Sequence, residues 1–244
     1  MNTHVLNPYS ERFGHFAVAR STLERQWLNW GVQWQRLLLR WRVRSGALIK
    51  RALDIVGSIA FLLAFSPLYL VLALLVKLED RGPVLFCQVR VGRFGERFQM
   101  YKFRSMRLDA EAEFGKLLAQ NEHADGVTFK MKNDPRITRV GKWLRRFSLD
   151  ELPQFFNVLK GGMSLVGPRP PTPREVSLYT LADRRRLAVK PGLTCFWQVG
   201  GRSNIDFSGQ VRLDVQYIES AGFWVDIKIL LQTVRAVVAG TGAS

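Results

Sequence analysis

The sequence predicts an α+β fold, mostly helical, with a small β-hairpin and one membrane element. Three observations carry that expectation. Residues 55–76 contain no charged residue. Two β-prone runs, 84–91 and 98–103, flank the turn Gly92-Arg93-Phe94-Gly95-Glu96-Arg97. The runs 108–120, 138–147, 211–220 and 223–238 read as helices. With 244 residues, 47% of them hydrophobic, the chain can bury one substantial core beside a membrane element. A formal charge of +16 implies an anionic partner, for which nucleic acid, acidic lipid headgroups and nucleotide phosphates are candidates. Cys87 and Cys195 lie far apart and neither belongs to a C-x-x-C, which argues against a disulfide framework and a zinc site. A reducing compartment is expected.

Residues 1–20 carry no clear signal, and no secretory signal peptide is expected at the start. Trp27, Trp30, Trp34 and Trp41 then recur at helical intervals with Leu37 and Leu38, while Arg25, Arg36, Arg40 and Arg42 fall mostly between them. Two readings fit: an amphipathic helix lying in the headgroup layer, or a helix packing its tryptophan stripe on the soluble domain.

As a straight helix, residues 55–76 would reach about 33 Å, enough to cross a hydrocarbon core of about 30 Å. Ser66-Pro67 falls at the middle, where proline removes a backbone hydrogen bond and bends or breaks a helix. Both flanks are basic: Arg40, Arg42, Arg44, Lys50 and Arg51 precede the run, and Lys77, Arg81, Arg90 and Arg93 follow it. Positive flanks favour the cytoplasmic side, so a hairpin that enters and returns satisfies both, whereas a single span satisfies one. On the residues alone both stay open. Ser66 can satisfy a backbone group freed by Pro67.

After the hairpin turn, the second β-prone run ends in Tyr101-Lys102-Phe103-Arg104-Ser105-Met106. Lys102 and Arg104 alternate with aromatics and so project from one face, as phosphate ligands or as a solvated edge. Asn133-Asp134-Pro135-Arg136 marks a turn before the helical run 138–147.

Asp150 and Glu151 follow, side by side among Lys130, Lys132, Arg136, Arg139, Lys142, Arg145, Arg146, Lys160 and Arg169. A carboxylate pair in a basic bed suits phosphate chemistry, in which cations gather an anionic substrate and carboxylates hold a divalent cation or attack phosphorus. The plain alternative is a helix start, because Ser148 and Glu151 have capping-box spacing. Pro153 weakens that box and favours Asp150 as the cap, with Pro153 in the first turn. Asp150 would then sit at a positive helix end. Gly161-Gly162 ends this helix, and Pro168 and Pro170 fix the backbone on both sides of Arg169, presenting a preorganised anion clamp or a rigid surface turn. Residues 190–204 read as a glycine-rich polar loop region, ahead of the two closing helices. With histidine only at positions 4, 15 and 123, a histidine-based mechanism is short of parts.

Several long motifs together resemble the bacterial sugar transferases, the monotopic phosphoglycosyl transferases. They are Lys50-Arg51-Ala52-Leu53-Asp54 before the interrupted apolar run, YKFRSM, NDPRITRVGKWLRR, SLDELPQFFNVLKGGMSLVGPRP, VKPGLT and WQVGGRS. The resemblance covers roughly residues 48–242. It implies a monotopic membrane protein with a re-entrant helix-break-helix hairpin over 47–82, broken at Ser66-Pro67. A cytosolic catalytic domain would occupy 83–244, preceded by an extension over 1–46. It also implies Asp150 as nucleophile toward the β-phosphate of a UDP-sugar, with Glu151 assisting, Mg2+ held through Asp150, and Arg145, Arg169 and Arg202 on substrate phosphates. Undecaprenyl phosphate would take the sugar phosphate and UMP would leave, beginning exopolysaccharide, capsule or O-antigen assembly. The expected location is the cytoplasmic face of the bacterial inner membrane, with anionic lipids as partners, no nucleic acid, and homo-oligomers left open. Longer members carry four transmembrane helices and a further domain ahead of the matched region, where this sequence has about 48 residues, so their regulation is not carried over. The competing class is a non-enzymatic, membrane-anchored basic adaptor for anionic lipid or nucleic acid.

Overall fold

The computed structural model describes residues 22–117, 127–129, 131, 133–200 and 205–238. The expected tryptophan stripe falls on helix α1, Thr22–Ala64. The chain divides into two compact units, Met1–Leu48 and Ile49–Ser244. In the first, Trp30 and Trp34 stand four residues apart on one face, 75% and 64% exposed. Residues 1–20 and the side chains of Trp27 and Trp41 lie outside what is described.

In the second unit α1 runs to Ala64 and α2 follows over Ser66–Asp80, the two axes bent by 66°. Among the described residues no single helix is long and apolar enough to cross a membrane; the bent pair is, by length and composition alone. Pro67 has no N–H to offer the carbonyl of Leu63, four residues back. Ser66 Oγ donates to that carbonyl instead, at 2.9 Å, so the carbonyl keeps a donor at the break. At the far end Arg81 closes α2 in the left-handed region (φ 57°), and Lys77 Nζ donates to the carbonyls of Arg81 and Gly82.

Strands β1 (Leu85–Val91) and β2 (Arg97–Phe103) form the expected antiparallel hairpin, with Leu85 opposite Phe103 and Val91 opposite Arg97. Phe94 and Gly95 turn the chain at φ 56° and 87°. Helix α3 (Ala110–Leu117) is followed by α4 (Arg139–Arg146), whose first turn is capped by Thr138 Oγ1 accepting from Gly141 N at 2.9 Å. A 3₁₀ turn over Leu149–Glu151 leads into α5 (Gln154–Lys160), which Gly161 ends at φ 88°.

Residues 192–194, expected to be loop, pair instead with residues 164–166 as parallel strands, β3 (Ser164–Val166) and β4 (Gly192–Thr194). Their approach requires glycine: a Cβ on Gly192 would lie 2.0 Å from the Gly167 nitrogen. Helix α6 (Pro173–Ser177), a 3₁₀ turn over Asp183–Ala188, α7 (Phe196–Gly200), α8 (Phe207–Ser220) and α9 (Phe223–Val238) complete the unit.

The main core gathers Met100, Val158, Leu165, Val166, Tyr217 and Ile229 from β2, α5, β3, α8 and α9, with Met163 from the link between α5 and β3. A second cluster packs Leu72 and Val76 of α2 on Phe103 and Leu144. Each of these buried aliphatic side chains contributes roughly 1.5–3 kcal/mol. One turn of α1 fastens the apolar arm to the body. Lys50 Nζ reaches Asp226 Oδ2 (2.6 Å), Tyr217 Oη (3.0 Å) and the Val166 carbonyl (3.1 Å). Arg51 donates to the carbonyls of Val158 and Leu159 at the end of α5. Buried Asp54 accepts from Ser164 Oγ and Leu165 N, both at 2.9 Å. These bonds explain why Lys50, Arg51 and Asp54 sit at that spacing.

Candidate active site

A cavity of about 1140 Å³ opens between the β-hairpin, the 3₁₀ turn, α6 and the faces of α7 and α9. That volume suits a nucleotide-sized ligand. Asp150 and Glu151 line it, together with Lys102, Arg145, Arg169 and Arg104.

The acidic pair is not a helix cap. Ser148 makes no side-chain capping bond, and the residue before α5 is Pro153. Asp150 therefore lies inside the 3₁₀ turn rather than at the N-cap of α5, because Ser148 adopts a left-handed conformation (φ 54°) that restarts the chain direction after α4. Asn157 holds α5 against β2, donating to the Gln99 carbonyl (2.6 Å) and accepting from Tyr101 N (2.9 Å). That contact fixes the turn opposite Lys102.

Lys102 bridges the pair, with Nζ 2.7 Å from Glu151 Oε1 and 3.8 Å from Asp150 Oδ2. Burial pushes the Asp150 carboxyl above the usual carboxylate range, and the charge of Glu151 adds to it, against the pull of Lys102 and Arg145. Burial acts on Glu151 as well, but Lys102, Arg169 and Arg90 outweigh it and hold that carboxyl below the usual range. The dyad is thus unequal: Glu151 is the anchored carboxylate, and Asp150 is the more basic one.

Arg145 borders the same cavity and makes no ion pair among the described residues. Arg169 is held by Glu175, with Nη1 3.3 Å from Oε1. Glu175 also closes a capping box with Thr172, so the start of α6 orients the arginine. The sequence reading missed Glu175, although Thr172-Pro173-Arg174-Glu175 carries the capping-box signal. Arg90 was missed too. It donates to the Pro170 carbonyl at 2.9 Å and to Gln88 Oε1 at 2.6 Å, and burial with the neighbouring Arg169 brings its pKa down to about 10.

Arg104 is placed differently from Lys102. It borders the cavity, but its buried guanidinium is paired with Asp80 at the end of α2 and packs on Gly82. Its charge is already matched, which separates it from Arg145. Arg136, buried between the Phe114 and Phe129 rings, is likewise held by Asp134 at 2.6 Å. Arg202 lies outside the described residues.

No group of three or more metal-ligating side chains occurs among the described residues. The donor set of Asp150 and Glu151 nonetheless fits Mg2+, which commonly binds one or two carboxylates together with substrate phosphates.

A carboxylate dyad bridged by lysine thus lies in an arginine-lined cavity, an arrangement suited to holding an anionic ligand. The chain belongs to the bacterial sugar transferases, whose family description matches residues 45–240. It is 52% identical over 200 residues to a Streptococcus agalactiae protein named galactosyl transferase CpsE, covering 82% of this chain and 44% of that one. An undecaprenyl-phosphate galactose phosphotransferase of Salmonella typhimurium is 45% identical over 203 residues, covering 82% and 42%. The exopolysaccharide production protein ExoY of Rhizobium meliloti is 38% identical over 201 residues, covering 81% and 89%. The chain thus spans less than half the length of the first two relatives and most of the third.

Proposed function

We propose that this chain is a phosphoglycosyl transferase that moves a sugar phosphate from a UDP-sugar to undecaprenyl phosphate. The observation that carries this reading is the unequal dyad: a buried, more basic Asp150 beside an anchored Glu151, with Lys102 between them and Arg145, which makes no ion pair among the described residues, bordering the same cavity. Asp150 attacks the β-phosphorus of the donor, the bond to the α-phosphate oxygen breaks, and UMP leaves with that oxygen. The lipid phosphate oxygen then attacks the aspartyl-bound phosphorus, and the aspartate carboxylate is released as polyprenyl-diphosphate-sugar forms. Lys102, Arg145 and Arg169 receive the negative charge on the phosphates. Arg202 is proposed as a further phosphate contact. Mg2+ held by Asp150, with Glu151 beside it, would neutralise diphosphate charge. UDP-galactose is the first donor to assay, because two of the relatives are named for galactose.

Asp150→Asn is expected to abolish UMP release from UDP-sugar with undecaprenyl phosphate and magnesium. Continued turnover by that variant would remove the nucleophile assignment. It would also favour the basic adaptor, whose lipid or nucleic acid binding should survive the change and weaken steeply with salt.

We further propose that α1 and α2 form a re-entrant hairpin in the cytoplasmic membrane, with the catalytic unit on the cytosolic face. The 66° bend supports this, as do the exposed apolar side chains of Val56, Leu63, Leu70 and Leu74 and the basic flanks. Native Cys87 is exposed after the hairpin, and Ser45→Cys places a thiol before it. Both should resist an impermeant thiol reagent in intact cells, and labelling of one alone would mean a span.

A further inference from the structure

We infer that Tyr69, in the second arm of the hairpin, is a positioning residue that sets the height of the catalytic turn for the lipid half of the reaction. Its hydroxyl donates to the Leu152 carbonyl at 2.5 Å. Leu152 directly follows Glu151, and the same carbonyl accepts from Phe155 N at 3.1 Å, so the bond lands where the 3₁₀ turn passes into α5. The Tyr69 ring sits against Phe103 and Phe156, with centroids 5.7 and 6.3 Å away.

The contact belongs to one face of α2. Tyr69, Leu72, Val76 and Glu79 follow each other at helical spacing. Leu72 and Val76 are buried against Phe103 and Leu144. Glu79 Oε1 accepts from Val140 N at 3.0 Å, at the start of α4. The arm therefore reaches two of the elements that carry site groups: the turn with Asp150, through Tyr69, and the helix with Arg145, through Glu79. An arm serving as an anchor alone would need only apolar contacts there.

This inference rests on the proposed two-step transfer. A soluble donor finds its own place in the cavity, whereas a lipid phosphate arrives at a height set by the bilayer. The phosphosugar on Asp150 must meet it at that height, so a turn tied to the arm favours the second step specifically.

Tyr69→Phe keeps the ring and removes the tie. UMP formed in a single turnover without lipid, transfer after addition of undecaprenyl phosphate, the KM for UDP-sugar and the melting temperature would be measured on both proteins. The lipid step is expected to slow roughly 3- to 10-fold, the factor carried by one hydrogen bond. UMP formation and the KM for UDP-sugar should stay unchanged, and the melting temperature should fall by no more than the roughly 2–4 °C that one hydrogen bond carries. Equal rates in both proteins would overturn the inference, as would an equal loss in the two steps. Absence of UMP release by the unmodified protein would instead count against the phosphoglycosyl transferase itself.

Discussion

Replacing Lys102 by methionine should move the pH dependence of the proposed reaction upward. In the unmodified protein burial and Glu151 already hold the Asp150 carboxyl above its usual range, so the acidic limb of kcat/KM is expected above about pH 4. The sign follows from the nucleophile: Asp150 must be ionised, its ionised fraction rises with pH, and a higher pKa carries the limb to higher pH. Lys102 opposes that shift from 3.8 Å. At an effective dielectric constant near 20, unit charges at that separation attract by roughly 4 kcal/mol. The lysine side chain is 23% exposed, and screening reduces this to about 2 kcal/mol, so its removal carries the limb further upward. Methionine retains the apolar stem and removes the charge. UMP release at low UDP-sugar concentration, followed across the pH range, would report the limb. Loss of a phosphate contact would lower the plateau without moving the limb, so the two effects separate. An acidic limb at the same pH in both proteins would refute the electrostatic argument.

Two further outcomes follow from the site. Ser148→Gly removes a left-handed non-glycine residue at φ 54° and should stabilise the protein by about 1 kcal/mol, a rise of roughly 2–4 °C in a thermal melt; a lower melting temperature would contradict the strain. Glu175→Gln weakens the hold on Arg169 and should raise the KM for UDP-sugar roughly 10-fold, which an unchanged KM would disprove.

Much of the fold was legible because its signals are local. Proline at 67 and glycine at 161 punctuate the helices where the sequence predicts, and the hairpin strands end within a residue or two of expectation. The β3–β4 pair was not legible. Two three-residue strands show no periodicity, and their partnership arises only when Gly167 and Gly192 meet across distant segments. The same reason hid the fate of Arg104, whose partner Asp80 lies 24 positions earlier on another element. Asp150 was picked out by its charge contrast, but its conformation was misjudged. Pro153 argued correctly against a Ser148 capping box, yet the alternative of an Asp150 cap overlooked a 3₁₀ turn ahead of the helix. Arg90 and Glu175 were passed over because their importance lies in what they hold, and that depends on tertiary contact.

Helix α5 is only seven residues long, and its two ends meet different parts of the molecule. Its C-terminal carbonyls, at Val158 and Leu159, receive the Arg51 guanidinium from the apolar arm. The negative pole of the helix is thereby neutralised by a fixed cation, while its positive pole stays turned toward the segment that holds Asp150 and Glu151. A short dipole with one end quenched behaves toward its other end more like a single partial positive charge. Arg51, far from the carboxylates in sequence and outside the cavity lining, thus ties the apolar arm to the far end of the helix that follows them.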